Sequence, residues 1–409
     1  MDVIMQTGVA TGAIPLTLKQ AQERISEVEQ VTGAWAHVDE HPAVAAVGPL
    51  AGWTIGVKDL IDVAGMPTGA GAIGRQESSE AKDDAAIVTT LRRAGATILG
   101  KTVAVEYGWF GTVTTRNPHD LARSPGGSSS GSAAAVAAGM CRAAIGTQTA
   151  GSVIRPAAYT GVPALKLSHG AVDLAGVVKV SGSLDSLGIF AGSLDDLQAV
   201  ADVLLGPTAE ESSDSTIRIG LILDEFRDVC DDSVLDAVDR SVRALASSSQ
   251  VELVNTASAL DWSQLRTAHR ALMVRECALA RADAFRADPT QFSAVLRSAI
   301  EDGLALNDAV RTEALEAASQ ARAVLESAEV DMWLTPAATQ EAPPAGEPGD
   351  PACQSPFTLL GLPAIHLPVG RGASNLPVGL QLVGRLNTDR RLLRQARSLA
   401  AAMADGGLQ

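Results

Sequence analysis

Apolar residues along this chain fall into two textures. Short continuous runs, Thr54-Ile55-Gly56-Val57 and Thr97-Ile98-Leu99, read as strands buried on both faces, the second closing in a turn at Gly100-Lys101. Between them, residues 84–94 have helical spacing. The first 45 residues also read as helix, with Leu16-Thr17-Leu18-Lys19-Gln20 leading into residues 21–28. This alternation predicts an α/β sheet covered by helices on both faces. Beyond about residue 206 the chain returns to a strand (217–222), an amphipathic helix (234–245) and a strand (251–254). A long charged, helix-rich tract then runs from Trp262 to about Ala328. The prolines and glycines from Pro343 to Pro351 predict a mobile surface loop. Strand texture reappears at 364–367 and 379–383, before a helix from Asp389. No internal repeat is visible.

Composition narrows the function. Of 409 residues, 46% are hydrophobic and 19% charged, so a packed core is expected; aromatics are only 3%, leaving alanine, valine and leucine to fill it. The net charge is -15 and no basic run exists, which argues against a nucleic-acid partner. Four scattered cysteines without a CxxC pair argue against zinc or a disulfide framework and suit a reducing cytosol. No secretory leader is read at Met1–Gln6, and no run is long enough for a membrane span, so a cytoplasmic protein without a membrane partner is expected.

The candidate chemistry sits in two small-residue clusters. Gly126-Gly127-Ser128-Ser129-Ser130-Gly131-Ser132 has the composition of a flexible linker. It runs, however, directly into the strong helix former at residues 133–138, with Ser130 or Ser132 available as N-cap. The second cluster, Gly146-Thr147-Gln148-Thr149-Ala150-Gly151-Ser152, places small residues before a serine, as convergent backbone N–H groups require. Arg155, three residues on, is a candidate for gripping a substrate carboxylate with its planar fork; a structural arginine bonding local carbonyls fits the sequence equally. None of the six histidines forms a metal-ligand pair, and no GxSxG elbow surrounds Ser152. His119 reads as a solvent-facing loop residue and His366 as a core histidine.

The two clusters, with Gly56-Val57-Lys58-Asp59 upstream, resemble the amidase signature family. Ser183-Leu184-Asp185-Ser186-Leu187-Gly188, Gly361-Leu362-Pro363-Ala364 and the 376–381 block (LPVGLQ) extend the match. The resemblance is strongest over residues 50–195, and the SVIRPAAY string is most similar to malonamidase-type members. It implies one domain over 1–409 with a large mixed, mostly parallel central sheet. Residues 50–195 would be the catalytic core, and 206–345 a divergent helix-rich region on the substrate side. It further implies a Ser–Ser–Lys set: Ser152 as nucleophile, Ser128 after a cis peptide as relay, and Lys58 as base, neutral because burial lowers its pKa. The backbone N–H groups of Thr149, Ala150, Gly151 and Ser152 would form the oxyanion hole. Ser129 and Arg155 are the candidate substrate-binding side chains.

The implied reaction is hydrolysis of a small linear amide, without cofactor or metal. An ester or carbamate substrate is a variant, and an ammonia-generating subunit of an amidotransferase-like complex the competing reading. A homodimer is expected. Three positions depart from the family pattern: Ala150 where most members have glycine, Gln148 where many have aspartate, and Leu167 where proline usually follows the lysine at 166.

Overall fold

The fold is seen in a computed structural model that describes residues 17–75, 78–207, 216–256 and 260–405. Its centre is a sheet of eleven strands: β1 (Trp35–Val38), β2 (Thr54–Lys58), β3 (Thr97–Thr102), β4 (Ala143–Gln148), β5 (Ala164–Lys166), β6 (Ser186–Ala191), β7 (Ile217–Leu221), β8 (Val251–Asn255), β9 (Met332–Pro336), β10 (Ala364–Arg371) and β11 (Pro377–Gly384). Their spatial order is β1-β3-β2-β4-β6-β5-β10-β11-β9-β7-β8. The sheet is large and mixed, as expected. Its parallel pairings form two blocks, β3-β2-β4 and β9-β7-β8. Antiparallel pairings through β6, β5, β10 and β11 join the blocks.

Both faces are covered. One packs Ile55, Ile98, Ile145, Leu165, Ile189, Ile219 and Leu382 against helices Ala86–Arg93, Leu194–Leu205, Asp232–Ala246 and Asp389–Asp405. The other carries helices Leu18–Thr32, Ser130–Ala137 and Ile154–Thr160, together with the three-helix layer Trp262–Ala287, Ala294–Ala305 and Ala309–Glu326.

Several boundaries move. Trp35–Val38, read as helix, is the edge strand β1, antiparallel to β3. Leu16 and the Met1–Gln6 start lie outside the described residues. Gly100 and Lys101 are not a turn but the body of β3. The Pro343–Pro351 segment is an irregular loop but not a free one. Pro343 and Pro348 carbonyls accept from Ser124 and Gly127, Gly346 accepts from Val113, and Ala345 N–H reaches the Ala122 carbonyl. Its turn-forming residues serve to dock the loop on the Gly/Ser stretch.

That stretch is no linker. Every residue from Ser124 to Ala137 is buried, and the helix Ser130–Ala137 has no solvent face at all. Alanine and glycine dominate because there is room for nothing larger: a Cβ on Gly131 would lie 2.2 Å from the Ala34 carbonyl oxygen and 2.3 Å from the Val103 nitrogen. The cap position falls on Ser129, which makes no side-chain capping bond, rather than on Ser130 or Ser132. Those two hydroxyls instead lie 3.1 Å from Thr115 Oγ1 and 3.0 Å from the Ile145 carbonyl, respectively. Sealing them without partners would carry a desolvation cost of about 1–3 kcal/mol each.

Candidate active site

The site lies outside the carboxyl ends of the parallel strands β2 and β4, the edge where open α/β sheets place their ligands. β2 ends on Lys58 and β4 runs into the turn 149–153. The Gly/Ser loop closes over both, with a cis peptide between Gly127 and Ser128.

Lys58 is fully buried, and its Nζ lies 2.9 Å from Ser128 Oγ, 2.9 Å from Thr147 Oγ1 and 3.3 Å from the Thr147 carbonyl. Burial pulls its amine down to about 7, with the charge of Asp185 opposing the shift. Asp59, next in sequence, is no counter-ion: its carboxylate pairs with the equally buried Lys101 at 3.0 Å. A neutral amine held against a serine hydroxyl is equipped to accept a proton.

A second lysine shows that depressed basicity alone does not mark a base. Lys166 is also sealed in the core and lowered by burial to about 7, yet its Nζ has no hydrogen-bond partner among the described residues. Geometry distinguishes the two, since Lys58 faces Ser128.

The turn after β4 is held by its carbonyls and leaves its N–H groups free. His269 Nε2, from the helix Trp262–Ala287, lies 2.8 Å from the Thr149 carbonyl. Burial keeps that imidazole neutral, at about 4, so Nε2–H is the donor. Thr358 Oγ1 donates to the Ala150 carbonyl at 2.7 Å, and Thr149 Oγ1 donates to Asp185 at 2.6 Å. Gln148 Oε1 accepts the amides of Val153 and Ile154 at 2.9 and 3.1 Å. The amides of Thr149, Ala150, Gly151 and Ser152 have no acceptor among the described residues. Four free donors in succession can receive a developing oxyanion.

Ser152 is only 5% exposed, and its hydroxyl forms no hydrogen bond among the described residues. Ala150 is accommodated without strain. Its φ lies outside the left-handed region, and its methyl joins the buried cluster of Trp109, Ile154, Val180 and Leu184.

The two side chains expected to bind substrate are both buried. Ser129 is fully buried and donates to the Thr147 carbonyl at 3.2 Å, so its hydroxyl is already engaged. Arg155 is buried, with Nη2 donating to the Gly127 carbonyl at 2.6 Å. Its Nε and Nη1 are sealed without a partner among the described residues. His119 is half-buried and bonded to the Thr160 carbonyl at 2.9 Å rather than solvent-facing. His366 is a core residue as expected, with Nδ1 2.8 Å from the Val162 carbonyl.

The residues that brace the site from a distance, His269 and Thr358, carry no local sequence signal. Asp185 did have one, inside the Ser183–Gly188 block. No helix among the described residues is long and apolar enough to cross a membrane.

Comparison with known proteins agrees with this architecture. The profile of the family described as Amidase matches residues 20–393. The chain is 30% identical to a glutamyl-tRNA(Gln) amidotransferase subunit of Synechococcus sp. (strain CC9605), over 95% of this chain and 88% of that protein. It is 29% identical to a fatty acid amide hydrolase of Arabidopsis thaliana, over 83% of this chain and 63% of that one. A crystal structure of an amidase superimposes with a TM-score of 0.84 at 30% identity, covering 100% of this chain and 98% of the other. The chain therefore belongs to the amidase signature family, enzymes that hydrolyse amide C–N bonds.

Proposed function

We propose that this enzyme hydrolyses small linear carboxamides through an acyl-enzyme on Ser152. The observation that carries the reading is the 2.9 Å approach of a buried Lys58 amine, with a pKa near 7, to Ser128 Oγ. Ser152 Oγ attacks the amide carbonyl and its proton passes through Ser128 to neutral Lys58. The oxyanion is received by the free amides of residues 149–152. Collapse returns the proton by the same route to the leaving nitrogen, and water then cleaves the acyl-enzyme. Because the Ser152 hydroxyl is unbonded without substrate, the Ser128–Ser152 step forms when substrate fills the site. The near-complete burial of Ser152 favours a small acyl group. An ester or carbamate would enter the same acyl-enzyme. Ammonia release from a panel of short amides by the purified chain tests this reading, and no turnover of any of them would refute it.

The neighbouring wall offers a second check. A Cβ on Gly151 would lie 2.7 Å from Gln354 Oε1 and 3.1 Å from Pro351 Cβ, so a side chain there must push Gln354 aside and press on Pro351. Gly151→Ala is expected to lower kcat by about 10²-fold, the scale of one lost oxyanion donor. A variant with wild-type kcat would show that the turn is not the oxyanion site.

In this reading Arg155 sets substrate choice. Nη2 stays on the Gly127 carbonyl, and Nε and Nη1, unpartnered among the described residues, are the donors left for a substrate carboxylate to meet one at a time. Arg155→Leu is expected to raise KM for a carboxylate-bearing amide by about 30-fold or more, the scale of one charge-assisted contact, and to affect a neutral amide much less, through the lost Gly127 bond alone. Equal losses for both would make Arg155 structural. The 206–345 tract forms the substrate-side wall, since His269 within it reaches the Thr149 carbonyl.

The competing reading is a component of an amidotransferase-like complex, favoured by the likeness to the glutamyl-tRNA(Gln) amidotransferase protein. Gel filtration coupled to the ammonia assay separates the two. A homodimer or monomer active alone supports a free-standing cytoplasmic amidase, and activity only with a partner supports the complex.

A further inference from the structure

Cys230 and Cys353 are 123 positions apart in the chain, yet their sulfurs stand 3.7 Å from one another. Cys353 is fully buried, whereas Cys230 is half-buried. Cys230 closes the short 3-10 turn Asp224–Val229, where the chain turns extended before the helix Asp232–Ala246. Cys353 belongs to the turn that opens the helix Ser355–Leu359, in which the Gln354 and Ser355 amides both bond to the Pro351 carbonyl.

That second turn is the outer wall of the Thr149–Ser152 segment. Pro351 and Gln354 stand against Gly151, as the distances from its notional Cβ show. Thr358, whose amide bonds to the Gln354 carbonyl, donates its hydroxyl to the Ala150 carbonyl. Both cysteines are also tethered: the Cys353 carbonyl accepts from Gln381 Nε2 at 3.0 Å, and Asp231 N–H holds the Thr339 carbonyl at 2.8 Å. A disulfide requires the sulfurs to close to about 2.05 Å. Neither end travels freely, so closing the gap loads both segments, the Pro351–Gln354 turn among them.

We propose that Cys230 and Cys353 form a reversible disulfide by exchange with small dialkyl disulfides, and that this bond slows turnover by displacing the wall behind Gly151. The effect on turnover rests on the proposed role of Ser152; the bond itself does not. Cys230, as thiolate, attacks one sulfur of R–S–S–R, forming Cys230–S–S–R and releasing R–S⁻, which takes up the Cys230 proton to give R–SH. Cys353 then gives up its proton and attacks Cys230 Sγ. The second R–S⁻ leaves and takes that proton. Two protein thiols are oxidised and one small disulfide is reduced to two thiols. The hydrogen-bond contact with Cys230, and then burial, push the Cys353 thiol well up, which makes the more exposed Cys230 the first to react.

The test uses the full chain with oxidised glutathione, followed by non-reducing digestion, mass mapping and amide turnover. The expected result is a Cys230–Cys353 cross-linked peptide pair and a fall in turnover on the order of 10-fold or more, the scale of an ångström-level misplacement, restored by dithiothreitol. Cys230→Ser should be as active as wild type when reduced and insensitive to the oxidant. A glutathione adduct on Cys230 that never resolves, a bond to Cys141 or Cys277 instead, or a cross-link with unchanged turnover would overturn the proposal. If the reduced protein turns over no amide, the role of Ser152 fails, while the mass map still decides the pairing.

Discussion

Ser152→Ala is expected to lower kcat for amide hydrolysis by about 10⁴-fold or more, the scale seen when a hydrolase loses its nucleophile. The same variant should melt within about 1–2 °C of wild type, because removing an unbonded hydroxyl leaves no partner unsatisfied. This pairing of a large kinetic loss with an unchanged fold is what separates a nucleophile from a capping serine. Ser132→Ala offers the contrast. Its hydroxyl bonds the Ile145 carbonyl inside the sheet, so its loss should appear in the melting temperature. The prediction is checked by single-turnover kinetics and thermal melts on the same preparations; wild-type turnover in Ser152→Ala would remove this serine from the mechanism.

Lys58→Met should cost about 10²–10⁴-fold in kcat/KM, the contribution of a positioned general base. Methionine keeps a buried apolar stem at the end of β2 while removing the amine. The wild-type profile should rise with pH and reach half its plateau near 7, as Lys58 loses its proton. Stability follows from the same shift. The folded-state pKa lies below the unfolded one, so the unfolded chain holds more protons between about 7 and 10.5, and this lysine's contribution to stability improves as pH rises through that window. Below pH 7 its full cost is present. Lys58→Met should therefore gain most in relative melting temperature at pH 6 and lose that gain towards pH 10, offset throughout by the bonds forfeited at Thr147. Thermal melts across pH and a kcat/KM profile check both halves. A wild-type profile flat from pH 5.5 to 8.5 would contradict a base of this kind.

How much of this is legible in the chain depends on whether the determining contacts are local. Buried runs mark β2, the first half of β10 and β11, because a strand buried on both faces shows little polar alternation. Trp35–Val38 reads as helix because an edge strand with His37 exposed lacks that signature, and because only the distant β3 pairs with it. Gly100 and Lys101 look like a turn, yet Gly100 sits in a left-handed conformation inside β3, where a Cβ would meet the His37 carbonyl at 2.1 Å. The serine-rich stretch is ambiguous by composition, and tertiary burial resolves it. Lys58, Ser128, Ser152 and the 149–152 amides stand out through ordered clusters. His269 and Thr358 do not, being 120 and 208 positions from the carbonyls they hold. Ser129 is adjacent to the right residue, but its hydroxyl turns inward to the Thr147 carbonyl. Arg155 is undecided in sequence because its alternatives differ only in what its spare nitrogens meet.

The most direct test of the central claim is to label the enzyme with a fluorophosphonate and map the adduct by mass spectrometry. The account predicts one modified residue, Ser152, with labelling that speeds up as pH rises through 7 and is suppressed in Lys58→Met. A stable adduct on Ser128 or any other residue, in protein that still hydrolyses amides, would contradict it.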